Sequence, residues 1–553
     1  MPVRRIMSAH ADSSGVFTID QNSHSLWDSL PKLQALARAG LPVTHFIEDV
    51  DVAFTALGTS PGDPVRIARE RFHRSGGQDW GAALFYSEFL GRLPVEIRDW
   101  EPHLGQAVAA LAHRLGRSLD DLYDEFSPSD NWQLIGPSYA GDREHHRLIG
   151  DLGVAETAGA VRELLTMARR NCLEAFPSSA SQTRVTEWFD REQAMAESLL
   201  ARCADGRLVD LYRLWMGEHL GDGAELRLTS SLLATGADAH RTALLELFTR
   251  DYARAAALYN EAMAESGVPL RPLRTKEGEL PFFAVMRREG RLVRTAAHLD
   301  GDELRVGGRT FALRDGELPV SELRAAGIEC LAGKAALLVI QARYGPAGRP
   351  LALPHRGSLY MPAAHCLARR LQKAGLLPET LQPVLRVRFR LLDRLAGLDT
   401  PIRLPAHLAA AMGRQEVPAR ELARNWRDLA ADATRRLEDF RDDDARLDWQ
   451  RRSLPDLFAR LDALDARRRE LAARDPKSAE VRRASHEHKA VQSQILDRTL
   501  RRVADDWQLR DLDYWDSRGA LLPWAVALGG EKFYDELLAR AELSRESPEG
   551  AAP

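Results

Sequence analysis

The sequence predicts an α/β protein, a parallel sheet core with helical and small β insertions followed by a C-terminal α-helical coiled coil. Three observations lead there. Residues 15–54 run strand, helix, strand; residues 268–330 break into short alternating runs punctuated by Gly, Asp and Arg; and from about residue 416 the chain is strongly charged, with leucines at helical spacing.

"GVFTID" (15–20) alternates and is β-branched, the mark of a strand. "SLWDSLPKLQALARAG" (25–40) sets Leu26, Leu30, Leu33 and Leu36 at helical spacing before a Gly stop. "LPVTHFIEDVDVAF" (41–54) reads as a second strand, which completes a parallel βαβ unit whose ligand crevice lies beyond the carboxyl ends of the strands. Residues 64–125 read mostly as helix, and 127–146 as a polar surface loop rather than a metal site, because the adjacent His145 and His146 diverge on any regular element. Helices resume after it; "ELRLTSSLLA" (225–234) reads as a strand and 240–267 as one helix. Residues 1–267 are thus expected to form the first part of the core with a helical insertion.

Residues 268–330 are predicted to be a small antiparallel β insertion. The second part of the core, 331–415, is read to resume with a strand at "KAALLVIQARYG" (334–345), from which Gln341 and Arg343 would reach the crevice or a sheet edge. "LPHRGSLYMPAAHCLARRLQKAG" (353–375) and the strand "QPVLRVRF" (382–389) follow. Over 416–510, Leu457, Leu461, Leu464 and Leu471 outline one arm of a helical coiled-coil hairpin, Val491, Ile495 and Val503 the other, and "RDPKSAE" (474–480) separates them. Pro455 marks a helix start. The exposed Leu seam predicts a homodimer through 416–510, the alternative being that the arm folds back on its own domain. Residues 511–553 read as a helical segment and a disordered tail, "RESPEGAAP".

Composition excludes several classes. The 553 residues carry 76 basic and 80 acidic side chains, a net charge of −4, so no field exists to hold a nucleic-acid backbone. No apolar run approaches the ~20 residues of a membrane span. "MPVRRIMSAHADSSG" lacks the apolar segment of a secretory signal, and Cys172, Cys203, Cys330 and Cys366 lie far apart without CxxC spacing, so reduced thiols in a cytoplasmic protein are expected. No GxSxG elbow, P-loop or HExxH is present, which leaves nucleophilic serine and zinc chemistry without support.

Three stretches carry candidate chemistry. Glu48, Asp49 and Asp51 close the second strand, where desolvated carboxylates would bind an amine or act as bases; capping the next turn is the alternative. Asp49 and Asp51 would share one side of an extended chain, with Glu48 opposite. Gln21, Asn22 and His24 leave the first strand at a helix start, where free N–H groups favour anions or Ser23 and Ser25 simply cap. In "PHRGSLYMPAAH" (354–365), His355 and Arg356 supply positive charge, Gly357 permits close backbone approach, Ser358 and the following amides can cradle phosphate or carboxylate, and Tyr360 could close over it. A plain turn with Arg356 paired to a surface acid is the alternative.

The order of these features resembles the bacillithiol biosynthesis cysteine-adding enzyme (BshC) family. "VFTIDQNSHSLWDSLPKLQALA" occupies the place of that family's first strand, Gln-containing loop and helix; "PVTHFIEDVDVAF" is similar to its Glu-Asp-His-Asp motif, with Val50 where the motif carries His. "LPFFAVMRREGRLVR" is similar to its β insertion, "ALPHRGSLYMPAAHCLARRL" to its glycine turn before a helix, and "LDYWDSRGALLPWAVALGGEKFYDELLARAE" to its closing segment. The resemblance implies a Rossmann-like core, a dimerising coiled coil, and a ligase joining cysteine or a similar amino acid to an amine-bearing small molecule. In that scheme Asp49 and Asp51 hold or deprotonate the amine. Glu48, His355, Arg356, Gly357, Ser358 and Tyr360 bind substrate, and Gln21, Asn22 and His24 complete the wall. Carboxyl activation makes ATP or another nucleotide an expected cofactor. A BshC-like pseudoenzyme or assembly scaffold, or a different transferase on the same core, are the other readings.

Overall fold

The computed structural model describes residues 15–19, 26–51, 66–69, 85–86, 89–92, 95, 97–126, 131–135, 148–268, 270–356, 358, 360–377, 381–517 and 521–546. Gln21, Asn22, His24 and Gly357 lie outside the described residues.

A six-stranded sheet organises the chain. Across it run Glu225–Leu228, Val43–Ile47, Val16–Ile19, Leu351–Pro354, Val384–Arg388 and Glu542–Arg545, parallel except for the last. In chain order this is third, second, first, fourth, fifth, sixth. The direction of growth therefore reverses between Val16–Ile19 and Leu351–Pro354, and open parallel sheets leave a crevice at the carboxyl ends of such a pair.

Both faces of the sheet are covered, and the two central strands, VFTI and LALP, are almost wholly apolar. Val16, Val43, Ile47, Ala352, Leu385 and Val387 face a helical core that includes Trp27, Leu30, Trp188 and Trp215. The alternate positions Ile19, Phe46, Leu351, Leu353 and Val384 face a second core shared with helices Tyr252–Ser266 and Met361–Lys373 and with the β insertion. That insertion is a five-stranded antiparallel sheet in the order Arg309–Ala312, Glu303–Val306, Arg291–Asp300, Glu279–Arg288, Ile328–Gly333.

Several elements differ from the sequence expectation. Residues Ala335–Arg343 form a helix, not a strand; the run is buried on nearly every side, and a short apolar run carries no period to separate the two. Gln341 accepts from the Gly333 N–H at 2.7 Å and donates to the Leu331 carbonyl at 3.3 Å, and Arg343 donates to the Gln382 carbonyl at 2.6 Å, so both are structural. The strand at 225 stops at Leu228 and a helical turn, Thr229–Leu232, follows. The helix expected over 240–267 is two, Ala239–Arg250 and Tyr252–Ser266. Arg66–Arg69 and Phe85–Tyr86, in a stretch read mostly as helix, are strands paired with Asn131–Ile135. Glu542–Arg545, read as the end of a helical segment running into the tail, is the sixth strand; it sits at the sheet edge, exposed at all but Leu543, where alternation has little to report.

The C-terminal helices are Ala419–Asp439, Asp443–Ser453, Pro455–Arg474 and Ala479–Arg510, with Pro455 in its first turn. Leu454, Leu457, Phe458, Leu461 and Leu464 pack against Val491 and Ile495 of the same chain. Leu464 of the seam that argued for a dimer is therefore buried within one chain, and Leu457 and Leu461 are partly covered there. Among the described residues no helix is long and apolar enough to cross a membrane.

Candidate functional site

At the carboxyl end of Val43–Ile47 the chain turns instead of continuing extended. The Glu48 carboxylate folds back onto its own backbone, Oε1 accepting the N–H groups of Val50 at 2.8 Å and Asp51 at 3.0 Å. Burial pushes this carboxyl well above the usual carboxylate range, and the neighbouring Asp51 and Asp49 charges add to the effect. Asp49 ties two strand ends together: Oδ1 accepts the Ser230 N–H at 2.8 Å and Oδ2 the Ser230 hydroxyl at 2.5 Å, while Thr229 donates to the Ile47 carbonyl at 3.1 Å. Burial raises the Asp49 carboxyl; the Ser230 bonds oppose the rise. Its carbonyl accepts the Gly150 N–H at 2.9 Å, and a Cβ at Gly150 would stand 2.7 Å from that oxygen, so this close approach requires glycine.

Asp51 meets the β insertion. Arg294 reaches its Oδ1 at 2.6 Å and lies 4.5 Å over the Phe283 ring. The Asp51 side chain is 32% exposed, against 3% relative exposure for the Glu48 and Asp49 residues. The three acids thus diverge: one closes the turn, one binds the neighbouring strand end, and one faces an arginine and solvent. Cys330, on the insertion strand behind them, has its thiol pushed up by burial, then by the Asp49 and Glu48 charges. All four cysteines are buried free thiols.

The basic turn follows Leu351–Pro354, two strands along the same edge. At ~4.8 Å per strand that is roughly 10 Å between strand axes. Arg356 places Nη1 2.6 Å from Asp513 and Nη2 2.7 Å from Asp511, both in the segment that leaves the long helix Ala479–Arg510. His355 is pushed below its ordinary value by burial and by Arg388, which keeps its imidazole neutral at pH 7. Ser358 holds a left-handed φ of 65°, and its hydroxyl oxygen is buried with no hydrogen-bond partner among the described residues. Such a backbone costs a non-glycine residue about 1 kcal/mol. Tyr360, half-buried, is the cap residue of helix Met361–Lys373, with Pro362 in the first turn. Behind the turn, Arg386 binds Glu546 at 2.7 Å and the Pro354 carbonyl at 2.9 Å.

Two groups of partners were missed from the sequence. Arg386 and Arg388 had a signal, since "LRVRFR" repeats Arg at every second residue and so lines one face of a strand. Ser230, Arg294, Asp511 and Asp513 had none, being remote along the chain from what they touch.

The set offers guanidinium, a neutral imidazole and an orphaned hydroxyl, which suits a phosphate or carboxylate; none of these groups selects a nucleobase. Among the described residues no group of three or more His, Cys, Asp and Glu could hold a metal ion. A cleft of about 410 Å³ between Leu104, Arg114, Leu447 and Leu496 lies in the helical region, and none of the residues of the two turns lines it. Compared with family models, with curated proteins and with solved structures, the chain matches none.

Proposed function

We propose that this chain is a BshC-like ligase on a Rossmann-like core, joining cysteine or a similar amino acid to an amine-bearing small molecule. The observation that carries the reading is the strand order: it sets the acidic turn and the basic turn on one carboxyl edge, either side of Val16–Ile19. Arg356, His355 and Ser358 take the carboxylate or phosphate group. Asp51, the most open of the acids, meets the amine, with Arg294 fixing its orientation. Asp49 and Glu48 are positioning residues, their oxygens engaged by Ser230 and by backbone. Gln21, Asn22 and His24 complete the wall on the strength of the resemblance. A bound nucleotide such as ATP would supply the leaving group that a free carboxylate lacks.

A second reading, a non-catalytic scaffold, is favoured by Arg356 itself, which is engaged by two aspartates of the same chain. Mass spectrometry of purified protein incubated with ATP, cysteine and an amino sugar decides between them. The ligase yields a product at the summed mass less one water, reduced in Asp51→Asn and Arg356→Ala; no product from a panel of amino acids and amines leaves the scaffold. Dimerisation through 416–510, part of the same resemblance, is read by light scattering at several concentrations, a monomer throughout removing it.

A further inference from the structure

The contacts of Arg356 suggest how the site is controlled. We infer that Asp511 and Asp513 are internal competitors for a ligand phosphate: the phosphate takes Arg356 from them and loosens the segment that ends helix Ala479–Arg510. This deepens the proposed site and rests on the reading that the 355–360 turn binds an anion.

Charge supports it. Around the turn Arg356, Arg388 and Arg510 face Asp511 and Asp513: Arg388 stands 3.5 Å from Asp513 and Arg510 2.9 Å from Asp511. Among the described residues, Arg356 and Arg388 share Asp513, and Arg356 and Arg510 share Asp511, so each carboxylate is divided between two guanidiniums. A phosphate dianion carries more charge than either aspartate and matches the planar fork of Arg356.

Exposure supports it too. The Arg356 side chain is 37% exposed and those of Asp511 and Asp513 are 19% and 24%, so water already weakens these pairs and leaves Arg356 within reach of a competing dianion. The same chain holds a contrasting arrangement, Asp506, whose carboxylate is wholly buried between Arg436 and Arg502, whereas Asp511 and Asp513 are part-exposed. Release would be transmitted because Asp511 and Asp513 flank buried Leu512, and buried Trp515 follows, its ring 5.5 Å from that of Trp524.

The test is calorimetric titration of inorganic pyrophosphate into the full chain, with hydrogen exchange of residues 511–517 followed alongside. The wild type should bind and exchange faster in that segment on binding; Arg356→Ala should lose affinity by about tenfold. Asp511→Asn/Asp513→Asn should bind roughly fivefold tighter and no longer change exchange on binding. Asp513→Asn alone carries the same test with half the perturbation if the double variant does not fold. Binding that depends on Arg356 but is unchanged by the Asn substitutions overturns the competition and leaves the site standing. Binding indifferent to Arg356, or none, overturns both.

Discussion

Asp49→Ala separates the structural reading of the acidic turn from a purely catalytic one. The substitution deletes two charge-assisted hydrogen bonds, to the Ser230 N–H at 2.8 Å and to its hydroxyl at 2.5 Å, and leaves both donors in a part-buried place. Each such bond contributes about 1.5–3 kcal/mol, but the wild-type carboxylate also carries a burial cost, which its raised pKa reports and which alanine relieves, so the net loss should lie near 2–3 kcal/mol. Because the bonds join two strand ends, the loss is local, and the peptide covering 225–233 should exchange amide hydrogens roughly 30- to 150-fold faster. Asp49→Asn keeps an acceptor for the Ser230 N–H and should lose about 1 kcal/mol at neutral pH. The sign of its pH dependence follows from the raised pKa: the wild-type carboxyl favours the folded state below its unfolded value and loses that contribution as pH rises through the folded value. Asn cannot ionise, so its deficit should shrink as pH rises. Unchanged exchange at 225–233 in Asp49→Ala would refute the assignment of Asp49 as the tie between the strands.

Asp506 and His407 extend the same reasoning to the helical region. Asp506 is wholly buried and receives two forks, Arg436 at 2.8 and 3.0 Å and Arg502 at 2.6 and 2.9 Å. Asp506→Ala strands both cations, but they are 26% and 29% exposed, so the loss should be about 2–3 kcal/mol rather than the ~3–5 of a fully buried pair. Urea midpoints measure it, and a shift equivalent to less than ~0.5 kcal/mol would mean water already holds both guanidiniums. His407, 1% exposed, has neither ring nitrogen hydrogen-bonded among the described residues; burial, then Arg92, lowers its pKa from 6.5 to about 3. A lowered base stabilises nothing above pH 6.5 and loses stability as pH falls from there toward the folded value, because only the unfolded chain takes up the proton. His407→Leu should flatten the melting temperature between pH 6.5 and 4; an unaltered acid slope would assign it to other groups.

Local pattern was enough to place most of the sheet. Val16–Ile19, Val43–Ile47 and Val384–Arg388 alternate or run apolar between clear stops, and Leu26–Arg38 carries its helical stripe openly, because each signal lies within one element and reflects one buried face. The same reasoning put the acidic turn at a strand end. It failed where burial is uniform, as in Ala335–Arg343, or where the element is short and peripheral, as in Glu542–Arg545.

What each charged residue does was set by partners from distant parts of the chain. Asp49 is separated from Ser230 by 181 residues, Asp51 from Arg294 by 243, and Arg356 from Asp513 by 157. No local preference encodes such pairs. A carboxylate reads the same in the sequence whether it meets solvent, a serine or an arginine, and its desolvation and charge balance exist only once packing has chosen the neighbour.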